Sequence, residues 1–190
     1  MSVTKTDIGN AALQHLGIKR VANIDPPDNV KSARELADAY DRVRRKLLRN
    51  GEWNFAEGIA SLAADATSPI FGFTNKFPVP TDFLALREVV ELDVDQWKLR
   101  GRDIHANAAG PLKIVYTMDV TNTAEFDDSF VEAFGLALAL AIVETMTESG
   151  TKQDRLFRRL EMELEIALHV DGSENPPEDI DSDTWLLSRL

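Results

Sequence analysis

The spacing of apolar and polar positions divides the chain into three regions. Residues 4–50 follow a helical period. A first helix is expected from Thr4 or Thr6 to Leu16, with Thr6 as its cap, Asp7 at its positive end and Gly17 as its stop. The segment "NIDPPDN" follows, where Pro26 and Pro27 lack the N–H that a helix needs and force a bend. A second helix is expected from Val30 to Asn50, ending at Gly51. Leu36, Tyr40, Val43 and Leu47 share one of its faces, while Arg34, Arg42, Arg45 and Arg49 lie roughly opposite. Asp38 with Arg42, and Asp41 with Arg45, stand four apart in the favourable orientation for helix ion pairs.

Between Trp53 and Glu125 the period shortens towards two. "LKIVYTM" places Leu112, Ile114, Tyr116 and Met118 on one face and Lys113, Val115 and Thr117 on the other. "FLALREVVELDV" reads as a strand, "QWKLRGRDIHA" as a hairpin turning near Gly101 and Arg102, and "FPVPTDF" as a proline-bounded corner. Helical spacing then returns. "FDDSFVEAFGLALALAIVETMTES" is apolar on nearly every side, which suits the central helix of a bundle; Asp127 or Asp128 can cap it, and Ser149 with Gly150 closes it. The last helix is expected to bury Leu156, Leu160, Leu164, Ala167 and Leu168, antiparallel to its predecessor across a short link.

These elements predict an α+β fold, mainly α. Residues 1–55 and 126–171 form a discontinuous antiparallel helix bundle, residues 56–125 an inserted antiparallel β region, and residues 172–190 an extended C-terminal tail. The tail, "ENPPEDIDSDTWLLSRL" from Glu174 onwards, runs from an acidic, proline-stiffened leader to an apolar end.

Composition narrows the chemistry. With 190 residues, 44% apolar, the chain is long enough to bury a core without covalent help, and having no cysteine it can form no disulfide. No signal peptide is expected at the N-terminus. The longest apolar run, residues 133–143, falls short of a membrane span, so no membrane partner is expected. The net charge is −11, unevenly spread: residues 1–50 hold 10 Lys/Arg and 6 Asp/Glu, leaving 11 basic and 26 acidic side chains for the remainder. So acidic a body is unsuited to gripping a phosphate backbone.

No catalytic, cofactor or metal site is expected. His15, His105 and His169 fall in different elements, and no close His/carboxylate motif contains any of them. Asp179, Asp181 and Asp183 have the spacing of a calcium loop, but Thr184 and Leu190 stand where that loop requires Gly and Glu. Glu52 and Glu57, beside Trp53 and Phe55, are the nearest approach to a paired-carboxylate hydrolase site.

Three stretches taken together carry a resemblance. "IGNAALQHLGIKRVANIDPPDN" with "ARELADAYDRVRRKLLRNGEWNFA" resembles the opening of phage head-to-tail adaptors of the tail tubular protein A type, the signature being Trp53, Asn54, Phe55 and Ala56. "FGFTNKFPVPTDFLALREV" resembles their aromatic strand and corner, through Phe77, Pro80, Asp82, Phe83 and Leu84. "LKIVYTMDVTNTAEFDDSFVEAFGLALALAIVETMTES" resembles their last strand and long apolar helix, through Tyr116, Phe126, Phe130 and Ala133. The terminal "WLLSR" is similar to a Trp-Leu-x-x-Arg ending of such adaptors.

The resemblance implies a structural protein of the virion neck, assembled in the host cytoplasm. Usually twelve copies of such a protein close into a ring under the portal, extend the DNA channel and receive a downstream tail or nozzle protein. DNA is then a non-specific passenger. Trp185, Leu186, Leu187, Arg189 and Leu190 become the expected portal-docking residues. Arg34, Arg42, Arg45 and Arg49 become the expected subunit or portal interface, and Trp53, Phe55, Pro80, Asp82, Tyr116 and Phe130 the structural core. Two alternatives differ in class: a neck protein that also hydrolyses peptidoglycan, and a soluble helical interaction module unrelated to phage.

Overall fold

A computed structural model describes residues 3–147 and 149–174. The elements in chain order are α1 (Lys5–Leu16), α2 (Lys31–Asn50), a 3-10 turn (Asn54–Ala56), β1 (Glu57–Leu62), β2 (Asn75–Pro78), β3 (Phe83–Val89), β4 (Trp97–Arg100), β5 (Asp103–Ala106), β6 (Leu112–Met118), a second 3-10 turn (Thr123–Glu125), α3 (Asp128–Thr147) and α4 (Gly150–Glu174). The fold is α+β and mainly helical, with two small antiparallel sheets inserted between helices.

Local chemistry sets the helix ends. Thr4 caps α1, where Thr6 was expected. The Thr4 hydroxyl accepts from Asp7 N at 3.1 Å, and the Asp7 carboxylate accepts from Thr4 N at 3.0 Å. Both donors would otherwise be orphans of the first turn. Thr6 instead accepts from Ile24 N and so fastens the proline loop to α1. Gly17 ends α1 in the left-handed conformation, φ +70°, as a glycine stop does. Gly51 ends α2 for a different reason. Its backbone is extended at φ −108°, and a Cβ there would lie 2.3 Å from Trp53 Nε1. The glycine is therefore required by the indole packed over it. Of the two expected caps for α3, Asp127 is the one used, accepting from Ser129 N at 2.8 Å. Helix α4 runs to Glu174, past the bound of 171 read from periodicity.

Helix α3 is the centre of the bundle, packing against α1, α2 and α4. By length and composition alone it would also pass for a membrane span, but half of it is buried within the fold. Gly135 lets α1 come close, with Ala11 Cβ 3.3 Å from where its own Cβ would stand. An aromatic cluster fills the end of the bundle that meets the β region. Phe130 has Trp53, Phe55 and Phe126 around it at ring-centroid distances of 5.0, 5.0 and 4.9 Å, and Phe134 at 5.6 Å. The indole of Trp53 meets Phe130 edge-on, and its N–H donates to Leu47 O at 3.1 Å, so the buried donor is satisfied.

The first sheet has the order β1-β6-β3 and the second β2-β5-β4. Strand β6 covers the "LKIVYTM" segment and is central to its sheet, pairing Ile59 with Val115 on one side and Leu86 with Tyr116 on the other. The expected hairpin is present as β4 and β5, turning at Gly101 with φ +63°. A second apolar core lies among the strands, built from Phe77, Val89, Ile104, Leu112, Ile114 and Tyr116. Met118 packs against both cores.

Truncating the hub of the aromatic cluster should be among the most destabilising single changes. Phe130→Ala is expected to lower the unfolding free energy by about 3–5 kcal/mol in urea titration followed by circular dichroism.

Candidate interaction surfaces

The four arginines expected to form an interface are all exposed along α2, yet they differ in what holds them. Arg45 Nε lies 3.3 Å from Asp119 Oδ2, and Arg49 donates to Leu84 O at 2.7 Å. Both therefore help clamp α2 to the β region. Arg34 and Arg42 have no ion-pair partner among the described residues, so their charges face outward. The helix pairs read from spacing are replaced. Asp41 pairs with Arg44 at 3.3 Å, and Arg45 reaches Asp119 instead. No Asp38–Arg42 pair forms among the described residues.

Arg44, which spacing alone did not single out, is the buried member of this group at 3% exposure. Its guanidinium meets Asp119 Oδ1 at 2.6 Å and also donates to Val120 O. A buried cation is tolerated only when its donors are answered, and here the segment just after β6 answers them. A similar clamp lies nearby. Arg87 donates to Glu57 at 3.0 Å, to Trp53 O at 2.8 Å and to Thr117 Oγ1 at 3.2 Å. Glu57, one of the two carboxylates considered for hydrolysis, is thus bound into a structural ion pair. Glu52 is exposed.

Of the remaining motif residues, Trp53, Phe55 and Phe130 lie at the junction and Tyr116 in the second core, while Pro80 and Asp82, expected in the core, stand half-buried at the corner. Trp53 and Phe130 are fully buried, and Phe55 packs against both. Pro80 O accepts from Phe83 N at 3.2 Å and from the Arg102 guanidinium, which closes the corner. The Tyr116 hydroxyl donates to Asp82 at 3.3 Å. Burial first, and the Asp82 charge second, push the Tyr116 phenol above its ordinary range. Burial likewise raises Tyr40, whose hydroxyl has no hydrogen-bond partner among the described residues. The docking residues Trp185, Leu186, Leu187, Arg189 and Leu190 lie outside the described residues.

Apolar surface is displayed in places that periodicity did not mark. Ile70 and Phe71 are 98% and 70% exposed in the loop before β2, with the Arg100 guanidinium 5.3 Å from the Phe71 ring centre. The signal was present as "SPIFGF", an apolar run set among turn residues. On α4, Phe157, Met162 and Ile166 are exposed.

His15 sits between α1, α3 and α4, with Glu132 Oε1 3.6 Å from Nε2 and Arg159 Nη1 3.5 Å from Nδ1. Burial and the Arg159 charge lower its pKa, and Glu132 only partly offsets them. Among the described residues no group of His, Asp and Glu could hold a metal ion. No protein-family model matches the chain, and no curated protein matches it either.

Arg44→Ala should cost about 1–3 kcal/mol of stability, because Val120 O and Asp119 Oδ1 lose their buried donor although Arg45 still holds Asp119 Oδ2, whereas Arg42→Ala should stay within about 0.5 kcal/mol. Paired urea titrations check this. The folded state resists protonating His15, so acidification below 6.5 favours the unfolded chain until the folded pKa is passed. Melting temperature should therefore fall less between pH 8 and pH 5 in His15→Gln than in the unmodified protein.

Proposed function

We propose that this protein is a structural adaptor of a phage neck, closing into a ring beneath the portal and extending the DNA channel towards the next tail component. One observation carries the reading. Of the three stretches on which the resemblance rests, the first supplies Trp53 and Phe55 and the third Phe126 and Phe130, and these four meet in one aromatic cluster that joins the bundle to the β region. Residues far apart in the chain that carry the resemblance thus share one structural task, holding the inserted β region on the bundle.

The surface supports the same reading. An adaptor needs separate contacts for its neighbours in the ring and for the components above and below. Here outward charge on α2, apolar side chains on α4 and the Ile70–Phe71 loop lie on three separate elements. A head-to-tail contact between two such surfaces closes a ring when the rotation per subunit matches the symmetry. The excess of acidic side chains beyond residue 50 suits a channel that lets DNA slide rather than one that grips it.

Electron microscopy of the purified protein mixed with its portal tests the proposal. Rings of the protein stacked on the portal are expected, and Trp185→Ala should weaken that binding by about 2 kcal/mol or more. A protein that remains monomeric with the portal present would sink the reading.

A further inference from the structure

Among the described residues the bundle leaves an apolar groove uncovered. Helices α2, α3 and α4 line a cleft of about 390 Å³, floored by Val43, Leu47, Leu140 and Leu164 and walled by Ala141 and Phe157. Ala141 is exposed and Phe157 is 51% exposed. Two cations, Arg42 and Lys46, stand on its rim, and neither has an ion-pair partner among the described residues. Helix α3 is apolar on nearly every side, a composition that calls for cover all round, and this strip is where the cover is missing.

We infer that in the free protein this groove is filled by the chain's own C-terminal residues 185–190. Three features select that occupant. The first is chemistry: Trp185, Leu186, Leu187 and Leu190 supply the large apolar side chains that such a floor accepts. The second is charge. The leader to that segment carries Glu174, Glu178, Asp179, Asp181 and Asp183 without one cation, opposite in sign to the Arg42 and Lys46 rim. The third is reach. Helix α4 ends at Glu174, ten residues beyond Leu164 in the groove, so the return path along the helix is roughly 15 Å. Residues 175–184, if extended, span up to about 33 Å, which is ample for a reversal. A tethered segment this close is present at an effective concentration of the order of millimolar, well above that of a free second copy in dilute solution. The inference is independent of the ring reading and holds for an isolated chain.

The absence of cysteine provides the test in the 190-residue chain. Ala141→Cys combined with Ser188→Cys places one thiol on the groove wall and one in the terminal segment. A control pair joins Ser188→Cys to Ile59→Cys, an exposed position on the first sheet. Under mild oxidation the groove pair should close an intramolecular disulfide at least about 10-fold faster than the control, at a rate unchanged by protein dilution. Adding Arg42→Glu and Lys46→Glu should slow it several-fold. Circular dichroism verifies the fold, and Phe157→Cys replaces Ala141→Cys as the groove thiol should that variant unfold. Equal rates for groove and control pairs would overturn the inference. So would disulfide-linked dimers that grow with concentration, since they would assign the groove to a second copy.

Discussion

Helix α3 has to be covered. A twenty-residue helix that is apolar on nearly every side cannot remain exposed in water, and the rest of the architecture can be read as the means of covering it. Helix α1 lies against it closely enough to need Gly135, and α2 and α4 occupy further sides. At its first turns the aromatic cluster takes over, with Phe130 and Phe134 gathering Trp53, Phe55 and Tyr40 from elsewhere in the chain. Burial of such rings contributes both area and edge-to-face geometry, so this junction is stiff as well as stable.

The second organising feature is charge placed where it is desolvated. Arg44 and Arg87 each bridge the helical part and a strand or its end, and each answers backbone carbonyls as well as a carboxylate. The guanidinium suits this because its several donors lie in one rigid plane; lysine at either position would satisfy fewer groups. The two apolar cores are therefore joined by directional contacts, with Met118 as the shared apolar one. Such contacts fix the insertion's orientation in a way that apolar packing alone, being non-directional, does not.

The helices, strand β6, the β4–β5 hairpin and the α+β class were legible because each rests on a local period or a local turn. Long-range pairings were not. Asp41 and Arg45 stand four apart, as an exposed helix pair should, but Asp119 lies 74 positions beyond Arg45 and only the fold brings it near. The same blindness concealed Arg44, which looks like one more surface arginine until Asp119 and Val120, just past β6, close over it. Gly51 reads as a stop in the sequence, but what requires a glycine there is an indole two residues later, which no local pattern shows. Strands β1 and β2 are short and flanked by irregular chain, so their period is too brief to identify them singly. Of the candidate interface, sequence marked the α2 arginines but could not divide those that clamp the chain from those that face outward, nor foresee the groove left beside Leu140.

The order of the elements also sets a timetable. Helices α1 and α2 are complete by residue 50, yet the surface they cover belongs to α3, which ends at Thr147. At ~5–20 residues per second, synthesis leaves their apolar stripes without a native partner for roughly 5–20 s. The closing contacts show the same separation, with Lys31 donating to Thr145 O and Lys152 to Leu16 O, each across more than a hundred residues. The nascent chain thus carries an uncovered hydrophobic debt until its last third emerges, and in that interval a chaperone has most to offer it.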